Sequence, residues 1–265
     1  MTTTSFPPNA ANCSASEWRA RVDLAACYRL VSRFRMTDLI YNHISAAVPD
    51  EPGHFLINEF GLHYDEITAS NLLKVNLAGE VIGDDSTGHE VNKAGYIIHS
   101  AIHEGRPDVR CVIHTHTRAG VAVAAMRCGL LPISQTALRF YRRIAYHDFE
   151  GPAVEAEERG RLVNDLGECN AMILRNHGLL SCAPSISEAF LIMQRLETAC
   201  QTQVDVMAAG AEIIEIDRDV CEKSAIILAP SSEQRGELHF GEWNGKREWD
   251  AMIRALDREG ADFRR

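Results

Sequence analysis

The chain of 265 residues holds eight cysteines, yet none falls in a Cys-x-x-Cys pair. That absence removes the commonest zinc-knuckle and thioredoxin-type arrangements. Long hydrophobic runs are also missing. Stretches such as Val121 to Met126 fall far short of the roughly 20 residues a membrane helix needs, so no membrane partner is expected. Positive charge is in deficit, with 27 Lys+Arg against 37 Asp+Glu and a net charge of −10. An acidic balance disfavours nucleic acid as a partner. The N-terminus Met1-Thr2-Thr3-Thr4-Ser5-Phe6-Pro7-Pro8 has neither a basic start nor an apolar core, so no secretory signal is expected. Internal repeats and low-complexity linkers are absent too.

What remains is the make-up of a globular protein, 46% hydrophobic and 24% charged. The cysteines sit mostly in apolar contexts, Cys111 before Val112 and Ile113 for example, and read as reduced core residues of a cytoplasmic protein. Residues 1–15 read as a disordered arm, 16–212 as one α/β domain, and 213–265 as an extension packing on that domain or on a neighbouring subunit. Ala94, Ile97, Ile98, Ala101 and Ile102 follow the spacing of an amphipathic helix. His43 to Val48, Phe55 to Ile57, Val109 to Thr115, Ala171 to Leu174 and Leu179 to Cys182 read as strands. Ala156 to Leu166 reads as a helix, and Ser185-Ile186-Ser187-Glu188 has the form of a capping box opening another.

The chemistry concentrates in Val112-Ile113-His114-Thr115-His116. Residues i and i+2 of a strand share a face, so His114 and His116 present two imidazoles side by side in an apolar strand. A divalent metal gives such a pair a purpose. Asn176-His177-Gly178, in a turn between two strands, offers a third imidazole, and three histidines leave coordination positions open for water or substrate. His99 and His103 share one helix face, and without a Glu beside the first they lack the zinc-protease pattern. They read as structural, with His99 orienting a ligand or lining the pocket. The cluster Tyr141, Arg142, Arg143, Tyr146 and His147 shows no periodicity. It reads either as a solvated loop or as a substrate-binding or proton-donating one, with Tyr141 and His147 as donors.

Taken together, Tyr41-Asn42-His43-Ile44-Ser45, His99-Ser100-Ala101-Ile102-His103, Arg106-Pro107-Asp108-Val109, His114-Thr115-His116 and Asn176-His177-Gly178 resemble the class II aldolase/adducin family, over roughly residues 20 to 210. The His99 to Pro132 stretch looks most like the adducin-like bacterial branch. The resemblance implies a three-layer α/β/α fold with a mostly antiparallel central sheet, and a homotetramer or other homo-oligomer with sites at subunit contacts. It implies that His114, His116 and His177 hold a divalent metal, zinc first, with manganese or iron as alternatives. True adducin heads have lost such ligands, so retaining all three favours an enzyme.

Two departures stand out against the sugar-phosphate aldolases of that family. Their Pro-Ser-Ser-Glu segment falls on Asn92-Lys93-Ala94-Gly95, which puts glycine where their catalytic glutamate stands. Their Gly-Asn-x-Ser loop reads Asn42-His43-Ile44-Ser45. The expectation is therefore an unphosphorylated oxo- or hydroxy-acid, met by Asn42, His43 and Lys93, with Lys93 as a carboxylate partner. A metal acting as Lewis acid on its oxygens suits C–C cleavage through a metal-stabilised enolate, by aldol cleavage or decarboxylation. Two alternatives are a non-haem iron oxygenase performing oxidative decarboxylation and a non-catalytic adducin-like binding module. His239, Trp243 and Trp249 are expected to cover the pocket of a neighbouring subunit or to pack between subunits.

Overall fold

The computed structural model describes residues 13–83, 90–151, 156–229 and 245–265. Seven strands make one sheet: β1 (His43–Ala47), β2 (His54–Ile57), β3 (Leu73–Asn76), β4 (Cys111–Thr115), β5 (Ala145–His147), β6 (Ala171–Leu174) and β7 (Gly178–Ala183). Their spatial order is β3-β2-β1-β4-β7-β6-β5. Every pairing is antiparallel except β5 with β6, so the sheet is mostly antiparallel with one parallel edge. Seven helices are described: α1 (Ala15–Arg33), α2 (Lys93–Gly105), α3 (Arg118–Ala124), α4 (Ala156–Leu166), α5 (Ile186–Ala208), α6 (Arg218–Leu228) and α7 (Lys246–Arg258). None is long and apolar enough to cross a membrane.

Side-chain alternation along the strands builds two cores. On one face Ile44, Ile113, Ile173 and Leu179 pack against Leu24 and Tyr28 of α1, Val123 of α3, Met193 and Leu196 of α5, and Leu256 of α7. On the other, Val112, Met172 and Leu180 meet Ile98 and Ile102 of α2 and Leu162 and Leu166 of α4. The result is the expected three-layer α/β/α arrangement. Polar side chains fix where several helices begin. Ser14, Asn92, Thr117 and Ser185 each accept a hydrogen bond from the backbone N–H three residues on, satisfying one of the donors a helix start leaves open.

Three regions differ from the sequence-based expectation. The Tyr141 to His147 cluster is not all loop: after a single helical turn at Ala137–Phe140 it enters edge strand β5, too short for any periodicity to mark. Helix α6 was not expected. It sits on that turn, where the Arg139 guanidinium donates to the Leu228 carbonyl at 2.5 Å and Arg142 pairs with Glu222 at 3.2 Å. The third is Trp249, expected over a neighbouring pocket or between subunits. It is buried against Phe190 at a ring distance of 5.9 Å, in the core beneath α1 and α5, because its helix is amphipathic and finds its apolar partner within its own chain. Phe263 is fully buried in the same core. His239, Trp243 and most of the expected N-terminal arm lie outside the described residues.

Candidate metal centre

Strand β4 carries the first two imidazoles. Val112 and His114 face the α2 layer while Ile113 and Thr115 face the other core, and His116 follows His114 on the same side just past the strand end. The third comes from the tight turn joining β6 to β7. Asn176 there takes a left-handed backbone (φ 55°). At Gly178 a Cβ would stand 2.4 Å from the Thr115 carbonyl oxygen, so only glycine lets this turn close against the end of β4. Sheet pairing of β4 with β7 then brings His177 over the other two.

The three rings converge through Nε2. His114 Nε2 lies 2.8 Å from His116 Nε2, which lies 3.0 Å from His177 Nε2. The opposite nitrogens of two rings are committed. His114 Nδ1 donates to the Leu179 carbonyl at 2.9 Å, and His116 Nδ1 donates to the Asp38 carboxylate at 3.0 Å. A neutral imidazole has one N–H, so both Nε2 atoms present bare lone pairs to each other. That arrangement is repulsive without a cation to accept them. Nitrogens bound at 2.0–2.1 Å around a tetrahedral ion would stand about 3.3 Å apart, close to the His114–His116 and His116–His177 separations here. The carbonyl behind His114 and the carboxylate behind His116 are also the usual support of a metal-bound histidine. The donor set therefore fits a divalent ion, with His114 buried and His116 and His177 partly open to the cavity.

Burial holds the His114 imidazole well below its usual pKa, with the neighbouring histidines adding to the effect. Burial, with the neighbouring His116 imidazole adding to it, brings His177 down to about 4. Neutral rings are what a cation requires.

The centre forms the floor of a cavity of about 330 Å³ walled by Tyr41, Ile98 and Phe149, with Asp38, His43, Asn92 and Gly95 completing much of its lining. None of the described lining residues is Lys or Arg. The other expected site residues are distributed as follows. His43 lines the cavity. Asn42 is buried beside it, outside the lining, with both amide atoms unpartnered among the described residues. Lys93 opens α2, and its side chain lies outside the described residues. Tyr141 is half-buried beyond the lining. His99 is buried behind His43, its Nε2 2.8 Å from His43 Nδ1. His147 donates from Nδ1 to Asp165 at 2.7 Å, and its Nε2 is buried without a hydrogen bond. His147 and His177 both line a small space of about 10 Å³.

Asp38 and Phe149 went unrecognised in the sequence. Asp38 lies in a loop where Arg35 and Leu39 adopt left-handed backbone, a course no periodicity reveals.

The sequence matches the model of the Class II Aldolase and Adducin N-terminal domain over residues 22–204. This chain belongs to the class II aldolase/adducin family. Class II relatives span nearly its whole length. A Pseudomonas aeruginosa protein with a provisional aldolase class 2 name is 47% identical over 96% of this chain and 95% of its own. Alpha-adducin of Rattus norvegicus is 44% identical over 91% of this chain, which spans 33% of that longer protein. The crystal structure of an aldolase II superfamily protein from Pseudomonas syringae superimposes with a TM-score of 0.87 at 48% identity, covering 96% of this chain and 98% of the other. L-fuculose 1-phosphate aldolase from Glaciozyma antarctica gives 0.79 at 28% identity, covering 100% and 97%.

Proposed function

We propose that the protein is a metal-dependent C–C lyase that cleaves an unphosphorylated oxo- or hydroxy-acid by aldol cleavage or decarboxylation. The observation that carries this reading is the convergence of three Nε2 atoms, two of them locked by partners behind the ring, on the floor of an open cavity. His114, His116 and His177 hold the ion, zinc first, then manganese or iron. The ion supplies Lewis-acid stabilisation of negative charge developing on substrate oxygens.

The protein's own groups do the rest. Leu179 and Asp38 aim the ligand rings. Tyr41, Ile98 and Phe149 offer apolar surface against which the carbon chain of the substrate packs. The departures from the sugar-phosphate aldolases at residues 42–45 and 92–95 support a substrate without phosphate. Of the two proton donors expected, His147 is the better placed, because it borders the same small space as His177; Asp165 holds its Nδ1 hydrogen, so Nε2 must first take up a proton before it can give one. In this reading the protein is cytoplasmic and acts on a small molecule as a homo-oligomer, a homotetramer first, which light scattering in solution checks.

A second reading, a non-catalytic adducin-like module, draws support from the 44% identity with alpha-adducin. Elemental analysis of protein purified anaerobically decides between them. The lyase reading expects one divalent ion per chain, lost in His114→Ala, and turnover of an oxo- or hydroxy-acid with release of carbon dioxide or an aldehyde. Protein without stoichiometric metal overturns it. Turnover that stops under strict anaerobiosis replaces it with iron-dependent oxygenation.

A further inference from the structure

Beneath α2 a second set of buried polar groups runs from the histidine centre into the core. His43 is the register partner of His114 across β1 and β4, and their ring centroids are 5.4 Å apart. From His43 a chain of short contacts leads away from the cavity. His43 Nδ1 is 2.8 Å from His99 Nε2, His99 Nδ1 is 2.6 Å from Ser45 Oγ, and Ser45 Oγ is 2.8 Å from His103 Nε2. All four side chains are buried, Ser45 and His99 completely.

A neutral imidazole has one N–H and a serine one O–H. With every contact used, the hydrogens of this chain have three orders, because a hydroxyl oxygen can accept twice. In one, each group donates away from the cavity, and in a second His99 and His103 both donate to Ser45 Oγ; in both of these His43 Nε2 is a bare acceptor. In the third, His103 donates to Ser45, Ser45 to His99 and His99 to His43 Nδ1, so His43 Nε2 carries a hydrogen. Burial holds His43, His99 and His103 below the usual imidazole range, so the rings stay neutral in all three.

The second observation concerns residue 95. A Cβ built on Gly95 would stand 1.7 Å from His43 Nε2. Any side chain there would overlap the imidazole, so the ring fills the space that a residue at 95 would otherwise claim. Nε2 has no hydrogen-bond partner among the described residues, and both His43 and Gly95 line the cavity over the three histidines.

We propose that His43 Nε2 is the hydrogen-bond donor that meets the substrate oxygen in this site, in the place a residue-95 side chain would hold, and that His99, Ser45 and His103 are positioning residues that keep the hydrogen on Nε2. The proposal rests on the metal-centre reading above. An oxygen bearing negative charge beside a cation only accepts hydrogen bonds, so such a ligand selects the order in which Nε2 donates. A donor fixed by a buried chain costs no reorganisation when charge appears.

Oxalate, a chelating dianion that accepts and never donates, is the probe. In the zinc-loaded full chain, His43→Ala is expected to keep its zinc and to lose oxalate affinity by about 10- to 100-fold, the range of a hydrogen bond to a charged group. Gly95→Ala is expected to lose as much, because its Cβ displaces the ring. The double variant should be no worse than His43→Ala alone, since the clash is gone once the ring is removed. Ser45→Ala should keep zinc and the thermal transition of the fold. Its His43 side-chain nitrogen signals should move from a single Nε2–H tautomer toward a mixture by ¹⁵N NMR, with a smaller loss of oxalate affinity. Unchanged oxalate binding in His43→Ala or Gly95→Ala overturns the proposal. So does a bare Nε2 in the oxalate complex, and so does a zinc-loaded wild-type chain that ignores oxalate. Wild-type protein that takes up no zinc overturns the metal-centre reading and this proposal with it, whereas retained zinc with unaffected oxalate removes His43 alone.

Discussion

Replacing Asp38 tests the metal centre without touching a ligand. Its carboxylate accepts the Nδ1 hydrogen of His116 at 3.0 Å, which leaves Nε2 as the lone-pair end and points it at His114 and His177. Partners of this kind are worth about 10- to 100-fold in metal affinity, or roughly 1.4–2.7 kcal/mol at ~1.4 kcal/mol per tenfold. Asparagine keeps an oxygen that can accept from Nδ1 but loses the charge, so Asp38→Asn should sit near the lower end of that range. Alanine loses both and frees the ring to rotate, so Asp38→Ala should sit near the upper end. The equivalent support on His114 is the Leu179 backbone carbonyl, which no side-chain substitution removes. That ring is an internal control: affinity should fall without vanishing in either Asp38 variant, and should fall further in His116→Ala. Competition for zinc against a chromophoric chelator at neutral pH measures the affinities, with circular dichroism checking the fold. Both Asp38 variants binding within twofold of wild type would refute the reasoning.

Acidification should destabilise the zinc-free protein through its buried imidazoles. Burial lowers the His103 pKa from 6.5 to about 3, so the unfolded chain takes up the proton first. The stabilisation is complete above about pH 6.5 and declines as pH falls toward 3, at up to ~1.4 kcal/mol per pH unit for each such ring. Urea unfolding at pH 7, 6 and 5 reads this, and a flat response would contradict it. Gly178→Ala should cost about 1–3 kcal/mol by overpacking against the Thr115 carbonyl, and should weaken zinc binding by pushing His177 outward. Thermal melts and chelator competition measure the two, and zinc affinity equal to wild type would show that the turn does not set the ligand. Phe263→Ala should destabilise by about 3–5 kcal/mol, because this ring is fully buried in the main core. A loss under 1 kcal/mol on chemical unfolding would mean that the segment is peripheral.

Much of the site was legible because its signals are local. The i, i+2 spacing of His114 and His116 in an apolar strand placed both on one face, and Asn176-His177-Gly178 marked a turn whose glycine has a steric cause. Helical spacing located α2 and α4, while the family resemblance supplied the layer order. What stayed hidden depends on contacts between distant segments. Asp38 reaches His116 from a loop with left-handed residues, and no spacing in the sequence announces it. His99 and His103 were recognisable as one helix face, but their link through Ser45 to His43 needs β1 to lie beneath α2. Strand β5, three residues long, offers too little pattern to detect, and its parallel pairing follows from where the chain enters the sheet.

The central position of β4 has a kinetic consequence. His114 and His116, within and just past it, are two residues apart in the chain, whereas His177 arrives only when β4 and β7 pair, a contact whose residues are more than 60 positions apart. Non-local pairings of this kind form late. A nascent or unfolded chain therefore offers an ion a two-toothed grip, and the third tooth closes with the sheet. On the metal-centre reading, selection of the ion would then fall to the folded protein, and an ion held there would stabilise the folded chain by mass action.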